Sequence, residues 1–232
     1  MKEYVSINKN EFENKFKNGY GASYPESSVI RLYELFYRQS MGKEANGKKL
    51  LDFGCARGIH SQYFIDKGFD VYGIDISEEA IKYCKENIDE DRFKSINILD
   101  ENVDLYEVFG CKFDVIFANH VLYYFNDDDL EKVLNKFNNI LSEDGIVIFT
   151  MMSTNCYFYN FVDFENSKQD IKRVLLRGRV NDETFINFIS NETELKGKFR
   201  MFDRLYTGKY DFYAPEGSTE HLYYIGKKKK DI

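Results

Sequence analysis

Between Lys49 and Ser77 the chain reads KLLDFGCARGIHSQYFIDKGFDVYGIDIS, and Asp52, Gly54, Ala56 and Gly58 recur at alternate places in its first half. Glycine at 54 and 58 lets the backbone bend sharply and lie close to a ligand, because no β-carbon holds it off. A later apolar run ends on Asp75, followed by Ile76. A carboxylate at a strand end beside such a turn can accept from both hydroxyls of a ribose. The dinucleotide fingerprint G-x-G-x-x-G is broken, since Ala56 holds the second glycine place and Ile59 the third. An acid two residues ahead of Gly54 disfavours a pyrophosphate there and favours a ligand end carrying an ammonium or sulfonium. The chain has three histidines, His60, His120 and His221, so candidates for a general base are few. No metal-ligating cluster accompanies them, and no metal site is expected.

The elements that must position these residues follow from hydrophobic spacing. Leu50, Leu51 and Phe53 form a short apolar run, as in a parallel strand buried on both faces, and Phe69, Val71, Tyr72 and Ile74 form a second. Between them Ile59, Tyr63, Phe64 and Lys67 fall at helical spacing, and Gly68 suits the C-terminal cap. Ser77 can cap a helix over residues 78–87, with Ile81 and Cys84 inward. Residues 92–98 read as a third strand ending at Leu99-Asp100-Glu101, 113–119 as a fourth and 146–152 as a fifth. Leu130, Val133, Leu134, Phe137 and Leu141 mark the buried face of the helix between the last two. This strict alternation predicts an α/β fold, a parallel sheet with right-handed crossovers. Asn119 falls at the carboxyl end of its strand, where ligands bind in open α/β sheets. Upstream, Phe12 and Phe16 predict a short helix, residues 19–24 a loop, and Pro25 the start of a helix with Val29, Leu32, Tyr33, Phe36 and Tyr37 on one face. Downstream, 171–176 and 182–195 read as helical, with Phe185, Ile186 and Ile189 inward. Residues 199–206 and 221–225 alternate like a pair of strands.

The D-x-G-x-A-x-G turn and the acidic strand end after it resemble motif I and the following strand end of class I S-adenosylmethionine (SAM)-dependent methyltransferases, with Ala56 in place of the usual middle glycine. The resemblance implies a Rossmann-like, seven-stranded, mostly parallel sheet with an antiparallel last strand and helices on both faces. It implies one domain over 1–232: an N-terminal helical cap or lid (1–45), a SAM-binding core (48–152), a substrate-shaping insertion (153–197), and a closing hairpin with a basic tail (198–232). SAM is then the cofactor and S-adenosylhomocysteine (SAH) the product. Cofactor contacts are expected from Asp52, Gly54, Cys55, Ala56, Gly58, His60, Asp75, Ile76, Asp100 and Asn119. Asp100 has two readings, a partner for the adenine amino group or a cap for the next segment. His60 has two as well, the amino-acid end of the cofactor or a cap. Tyr20 and Tyr24 either fold over the cofactor or pack as aromatics, and Tyr123 and Tyr124 either line the acceptor pocket or belong to the core. His120, just past the fourth strand, is the candidate catalytic base, with packing or capping as its alternative; His221 is expected to be structural.

A net charge of −7 argues against nucleic acid as a partner, and the N/D-P-P-Y signature of base-methylating relatives is missing, since Asn119 is followed by His120-Val121-Leu122. Four cysteines without a C-x-x-C pair predict neither a disulfide framework nor a zinc site and fit a reducing compartment. The N-terminus MKEYVSINKN has no apolar core, and no stretch approaches the ~18 apolar residues of a membrane span. The expectation is a cytoplasmic protein with no membrane partner, monomeric or homodimeric, its basic run at 227–230 a solvated tail. Its expected activity is O-methylation of a small-molecule acceptor, a metabolite or a surface-carbohydrate precursor. Two other readings stand beside it: a SAM-binding regulatory protein without catalysis, and a nucleotide-dependent oxidoreductase with a degenerate turn.

Overall fold

The computed structural model describes residues 2–19, 21, 23–176 and 182–230. Helix α1 (Glu3–Lys17) is followed by α2 (Ser27–Arg31), which runs on as a π-helical stretch over Leu32–Ser40. Then come β1 (Lys49–Phe53), α3 (Ile59–Asp66), β2 (Asp70–Asp75), α4 (Glu78–Asn87), β3 (Phe93–Ser95), α5 (Leu105–Phe109) and β4 (Phe113–Ala118). A short 3₁₀ turn (Leu122–Tyr124) leads to α6 (Asp127–Ile140) and β5 (Leu141–Met152). The remainder comprises β6 (Val162–Asp163), β7 (Lys172–Leu175), β8 (Glu183–Ile186), α7 (Glu192–Lys198), β9 (Phe202–Tyr210), the small hairpin β10 (Tyr213–Ala214) and β11 (Gly217–Ser218), and β12 (His221–Lys228).

Seven strands form one sheet in the order β3-β2-β1-β4-β5-β12-β9, with β12 antiparallel to both of its neighbours and the others pointing one way. The mixed sheet that the family resemblance implies is present. Its direction of winding reverses between β1 and β4, so their carboxyl ends flank a crevice. These two strands are central because both faces of each are apolar. Leu51, Ile116 and Val147 pack with α6 through Val133 and Phe137 on one face, while Leu50, Val115, Phe117 and Ile148 pack with Val29, Tyr33 and Phe64 on the other. Alternation at period two sends neighbouring residues into opposite layers. Ser77 caps α4 as expected, its Oγ accepting from Ala80 N.

The segment after β5 departs from the sequence reading. Within the stretches read as helical, Lys172–Leu175 and Glu183–Ile186 are strands, and helix is confined to Glu192–Lys198. With β6 they form a three-stranded antiparallel sheet, β6-β7-β8. The reason is tertiary: Asn8 on α1 acts as a strand partner for β8, its Oδ1 accepting from Phe185 N at 2.9 Å and its Nδ2 donating to Phe185 O at 3.2 Å. Helix formation there would lose this edge and the cross-strand pair Val174–Thr184. The basic run is also different, since Lys227 and Lys228 belong to β12. Lys228 is buried and donates to Leu141 O at 3.0 Å, and Lys227 pairs with Asp144 at 2.7 Å. Strand β5 begins at Leu141, a residue the spacing assigns to the preceding helix. Among the described residues no helix is long and apolar enough to cross a membrane.

Helix α1 lies against several elements at once. The Tyr4 hydroxyl donates to Asp129 on α6, Asn8 holds β8, Glu13 accepts from Ser77 Oγ and from Glu79 N at the start of α4, and Phe16 O accepts from Arg57.

Candidate functional site

The turn after β1 is built from three left-handed residues: Gly54, Ala56 and Gly58 have φ of 73°, 48° and 73°. Gly54 N and Cys55 N both donate to Ile74 O, at 2.8 and 3.1 Å, which lashes the turn to β2. A β-carbon at 54 would stand 2.6 Å from Val121 Cγ2, so the place requires glycine on two counts. Gly58 leads into α3, and a β-carbon there would meet Ile88 Cδ1 at 2.4 Å. Asp75 closes the turn from the other strand. Its Oδ2 accepts from Ala56 N at 3.0 Å and its Oδ1 from Ser77 N at 2.9 Å, leaving each oxygen a further acceptor site. Burial pushes its carboxyl up, against the pull of these backbone N–H groups.

A cavity of about 640 Å³ opens on this turn. Of the expected cofactor and acceptor residues, Gly54, Cys55, Ala56, His60, Asp75, Ile76, Asn119, His120, Tyr123 and Tyr124 line it. Asp52, Gly58, Asp100 and Tyr24 do not. Asp52 is 2% exposed and accepts from Ser61 Oγ at 2.6 Å, beneath the turn, where burial pushes it up to about 7. It anchors α3 and does not face the cavity. Asp100 is exposed and takes Asn102 N at 3.0 Å, the capping alternative. The wall near it is supplied by Ile96, Asn97 and Ile98 instead. Tyr24 is 75% exposed, and Tyr20 lies outside the described residues. Helix α1 closes one side of the cavity with Val5, Asn8, Lys9, Phe12 and Phe16. Arg57 lines it too, and its buried Nε has no protein partner.

The end of the cavity beyond β4 is polar, and Glu26, His60, Asn119 and His120 share its wall. His120 has a φ of 55°, and its backbone N–H donates to Thr150 Oγ1 at 2.8 Å. Its Nε2 is 2.8 Å from the Tyr210 hydroxyl and its Nδ1 3.4 Å from Glu26 Oε1. Burial works to raise the Glu26 carboxyl, but the His120 hydrogen bond and charge, with His60 and Asn119, bring it down to about 2. His60 Nε2 accepts from Glu26 N at 3.4 Å, and burial lowers its imidazole to about 4. His221, 4% exposed, stacks on His120 with ring centroids 3.9 Å apart. Burial holds it well below the usual imidazole range, and its Nδ1 meets Thr219 O at 2.7 Å. His60 and His120 therefore share one end of the cavity, and His221 backs His120 from outside its lining. Glu26, Asn97, Thr150 and Tyr210 escaped the sequence reading. Glu26 was legible only as the second residue of a helix start after Pro25, and nothing local marks the others. Among the described residues no group of His, Cys, Asp or Glu side chains is arranged to hold a metal ion.

A family described as a methyltransferase domain matches residues 27–202. An uncharacterized methyltransferase of Schizosaccharomyces pombe is 31% identical over 109 residues, 43% of this chain and 37% of that protein. The malonyl-[acyl-carrier protein] O-methyltransferase of Hamiltonella defensa is 24% identical over 148 residues, 64% of this chain and 54% of that one. The chain thus spans about a third to a half of the length of these curated relatives. In three dimensions the chain is similar to a SAM-dependent methyltransferase of Methanosarcina mazei, with a TM-score of 0.66 at 18% identity, covering 83% of this chain and 97% of the other. At that identity the likeness speaks for the fold. The sequence match takes in the glycine turn, Asp75, Asn119 and His120 and runs from α2 into β9, and the chain belongs to the methyltransferase-domain family.

Proposed function

We propose that the chain is a SAM-dependent methyltransferase acting on a small molecule, with oxygen as the receiving atom. The observation that carries this reading is that one cavity joins the glycine turn and Asp75 to the polar group of Glu26, Asn119 and His120. The residues fit the cofactor. The volume lies within the usual range for ligand sites, roughly 300–1,000 Å³. The missing β-carbon of Gly54 leaves the turn open, and Asp75 keeps acceptor capacity for a ribose diol. The unpartnered Arg57 Nε suits a carboxylate. Ile76, Ile96, Asn97 and Ile98 would take the adenine, and His60 with the turn backbone would take the amino-acid end.

When bound, SAM supplies a methyl group already activated by its sulfonium. The chain has to align an acceptor in line with it, which in favourable intramolecular cases is worth roughly 7–11 kcal/mol. A hydroxyl acceptor also gains about 10²–10⁴-fold from a base, and His120 is the residue at hand. The O-methyltransferase name of the Hamiltonella relative supports oxygen as the receiving atom.

Thermal unfolding with SAM, SAH and NAD side by side tests the cofactor. A ligand at 100 times its Kd stabilises by about 2.7 kcal/mol, a shift of roughly 5–10 °C at this length. Shifts with SAM and SAH are expected, and a shift with NAD alone overturns the reading. SAH release across alcohols, phenols, sugars, amines and carboxylates then identifies the receiving atom. Binding without release from any acceptor would favour the non-catalytic alternative.

A further inference from the structure

His120 sits between two partners of different hydrogen-bonding capacity. An ionised carboxylate only accepts, so the ring nitrogen facing Glu26, Nδ1 at 3.4 Å, is the one that carries the proton when the imidazole is neutral. Nε2 then offers a lone pair, and the Tyr210 hydroxyl at 2.8 Å is placed to donate to it. The backbone reinforces this arrangement, because the left-handed φ of His120 and its N–H bond to Thr150 pin the ring where it is. The groups facing the imidazole are Glu26, His60, Tyr123, Tyr210 and His221, and Glu26 is the carboxylate among them. His221, stacked on the same ring, has its own tautomer set in the same way by the Thr219 carbonyl. The family match covers 27–202, so Glu26, Tyr210 and His221 all lie outside it. His60, Tyr123 and Thr150, which also surround His120, lie within it.

We propose that Glu26 is a positioning residue that locks His120 as its Nδ1–H tautomer, so that Nε2 is the atom that takes the proton from a hydroxyl-bearing acceptor, with Tyr210 holding that lone pair until the acceptor replaces it. The proton's origin rests on the methyl-transfer reading; the tautomer does not. In that transfer the acceptor oxygen forms its bond to the methyl carbon and the carbon–sulfur bond breaks with its electron pair left on sulfur. The acceptor's proton goes to His120 Nε2, leaving an imidazolium beside the Glu26 carboxylate. Asn119 Oδ1, 3.5 Å from the Tyr210 hydroxyl, offers that hydroxyl another partner once it is displaced. Carboxylate acceptors, which have no proton to give, make no use of this arrangement.

Nitrogen NMR of the histidine-labelled chain tests the tautomer without any acceptor, since the chain has three histidines to resolve. At pH 9, where imidazoles are neutral, His120 is expected to favour Nδ1–H by at least about tenfold, the worth of a hydrogen bond to a charged group. In Glu26→Gln, whose amide donates as readily as it accepts, that ratio should fall towards about one, and Glu26→Asp should restore it. Tyr210→Phe should keep the tautomer but move the Nε2 resonance towards that of a free imine nitrogen. A cooperative unfolding transition and an unchanged far-UV circular dichroism spectrum report that each variant is folded. A wild-type ring protonated on Nε2, or a ratio unchanged in folded Glu26→Gln, overturns the proposal. An SAH titration of the wild-type chain separates the two readings: no binding overturns the methyltransferase reading and leaves the tautomer result standing, whereas binding with an unmoved ratio overturns the role of Glu26 alone.

Discussion

Single residues decide which side chains a ligand meets. Asp75 is held by two backbone N–H groups and still has acceptor sites free, so Asp75→Ala should weaken SAH binding by about 1.5–3 kcal/mol, the range for hydrogen bonds to a charged group. Calorimetry measures this directly, and an unchanged affinity would remove Asp75 from the site. Asn97 and Asp100 make a sharper pair. Asn97 is on the cavity wall, while Asp100 is exposed and caps the turn at Asn102. Asn97→Ala should cost about 2–12-fold in SAH affinity, equivalent to one neutral hydrogen bond, and Asp100→Ala should leave it unchanged. The opposite pattern would return Asp100 to the adenine. Asp100 was legible as a candidate because it ends the third strand. Asn97 was not, because the choice depends on which way the chain turns after Ser95.

At the scale of elements, the glycine turn is the most local feature and was read correctly as a turn. Its middle residue carries strain, since Ala56 adopts a φ of 48°. The left-handed region costs a non-glycine residue roughly 1–2 kcal/mol, and glycine loses about 0.4–1 kcal/mol by freeing the unfolded chain. Ala56→Gly should therefore stabilise the fold by about 0.5–1 kcal/mol, read as a higher urea midpoint at unchanged slope. A destabilised variant would mean that the methyl of Ala56 packs better than its backbone angle suggests. The elements after β5 show the opposite case. Residues 171–176 and 182–195 have helical spacing, yet β7 and β8 form because Asn8 on α1 meets the edge at Phe185. A preference of a few tenths of a kcal/mol per residue is overridden by a ladder with a partner already in place.

At the scale of the whole molecule, burial of Asp52 under the turn couples stability to pH. Its folded-state value of about 7 lies above the ordinary carboxylate value, so between about pH 4 and 7 the native state holds a proton that the unfolded chain has released. Stability from this group is present below the unfolded value and is lost as pH rises through 7. Asp52→Asn cannot ionise and should gain on the wild type progressively across that window. Denaturation at pH 4.5, 6 and 8 measures the difference, and a gap independent of pH would show that Asp52 titrates normally. Glu26 works the other way, being lowered to about 2. Its contribution is present above the unfolded carboxylate range and is lost as the pH falls towards 2. Comparing each variant with the wild type at matched pH isolates one group from the other.

What the sequence determined by itself was the part of the molecule whose causes are local. The turn at Gly54, Ala56 and Gly58, the capped helix over Glu78–Asn87, and the strand–helix alternation that winds a parallel sheet all follow from backbone permissiveness and apolar period within a few residues. These put Asp75 at the carboxyl end of β2 and Asn119 just past that of β4. What only the tertiary structure decided was pairing across long distances in the chain. Tyr210 reaches His120 from 90 residues away, Asn119 meets Glu26 across 93, and Asn8 joins β8 across 177. No spacing rule encodes such partners, because a polar side chain is satisfied by whatever the closed fold brings to it. The histidine that the sequence set aside as structural ended up stacked on the candidate base for the same reason.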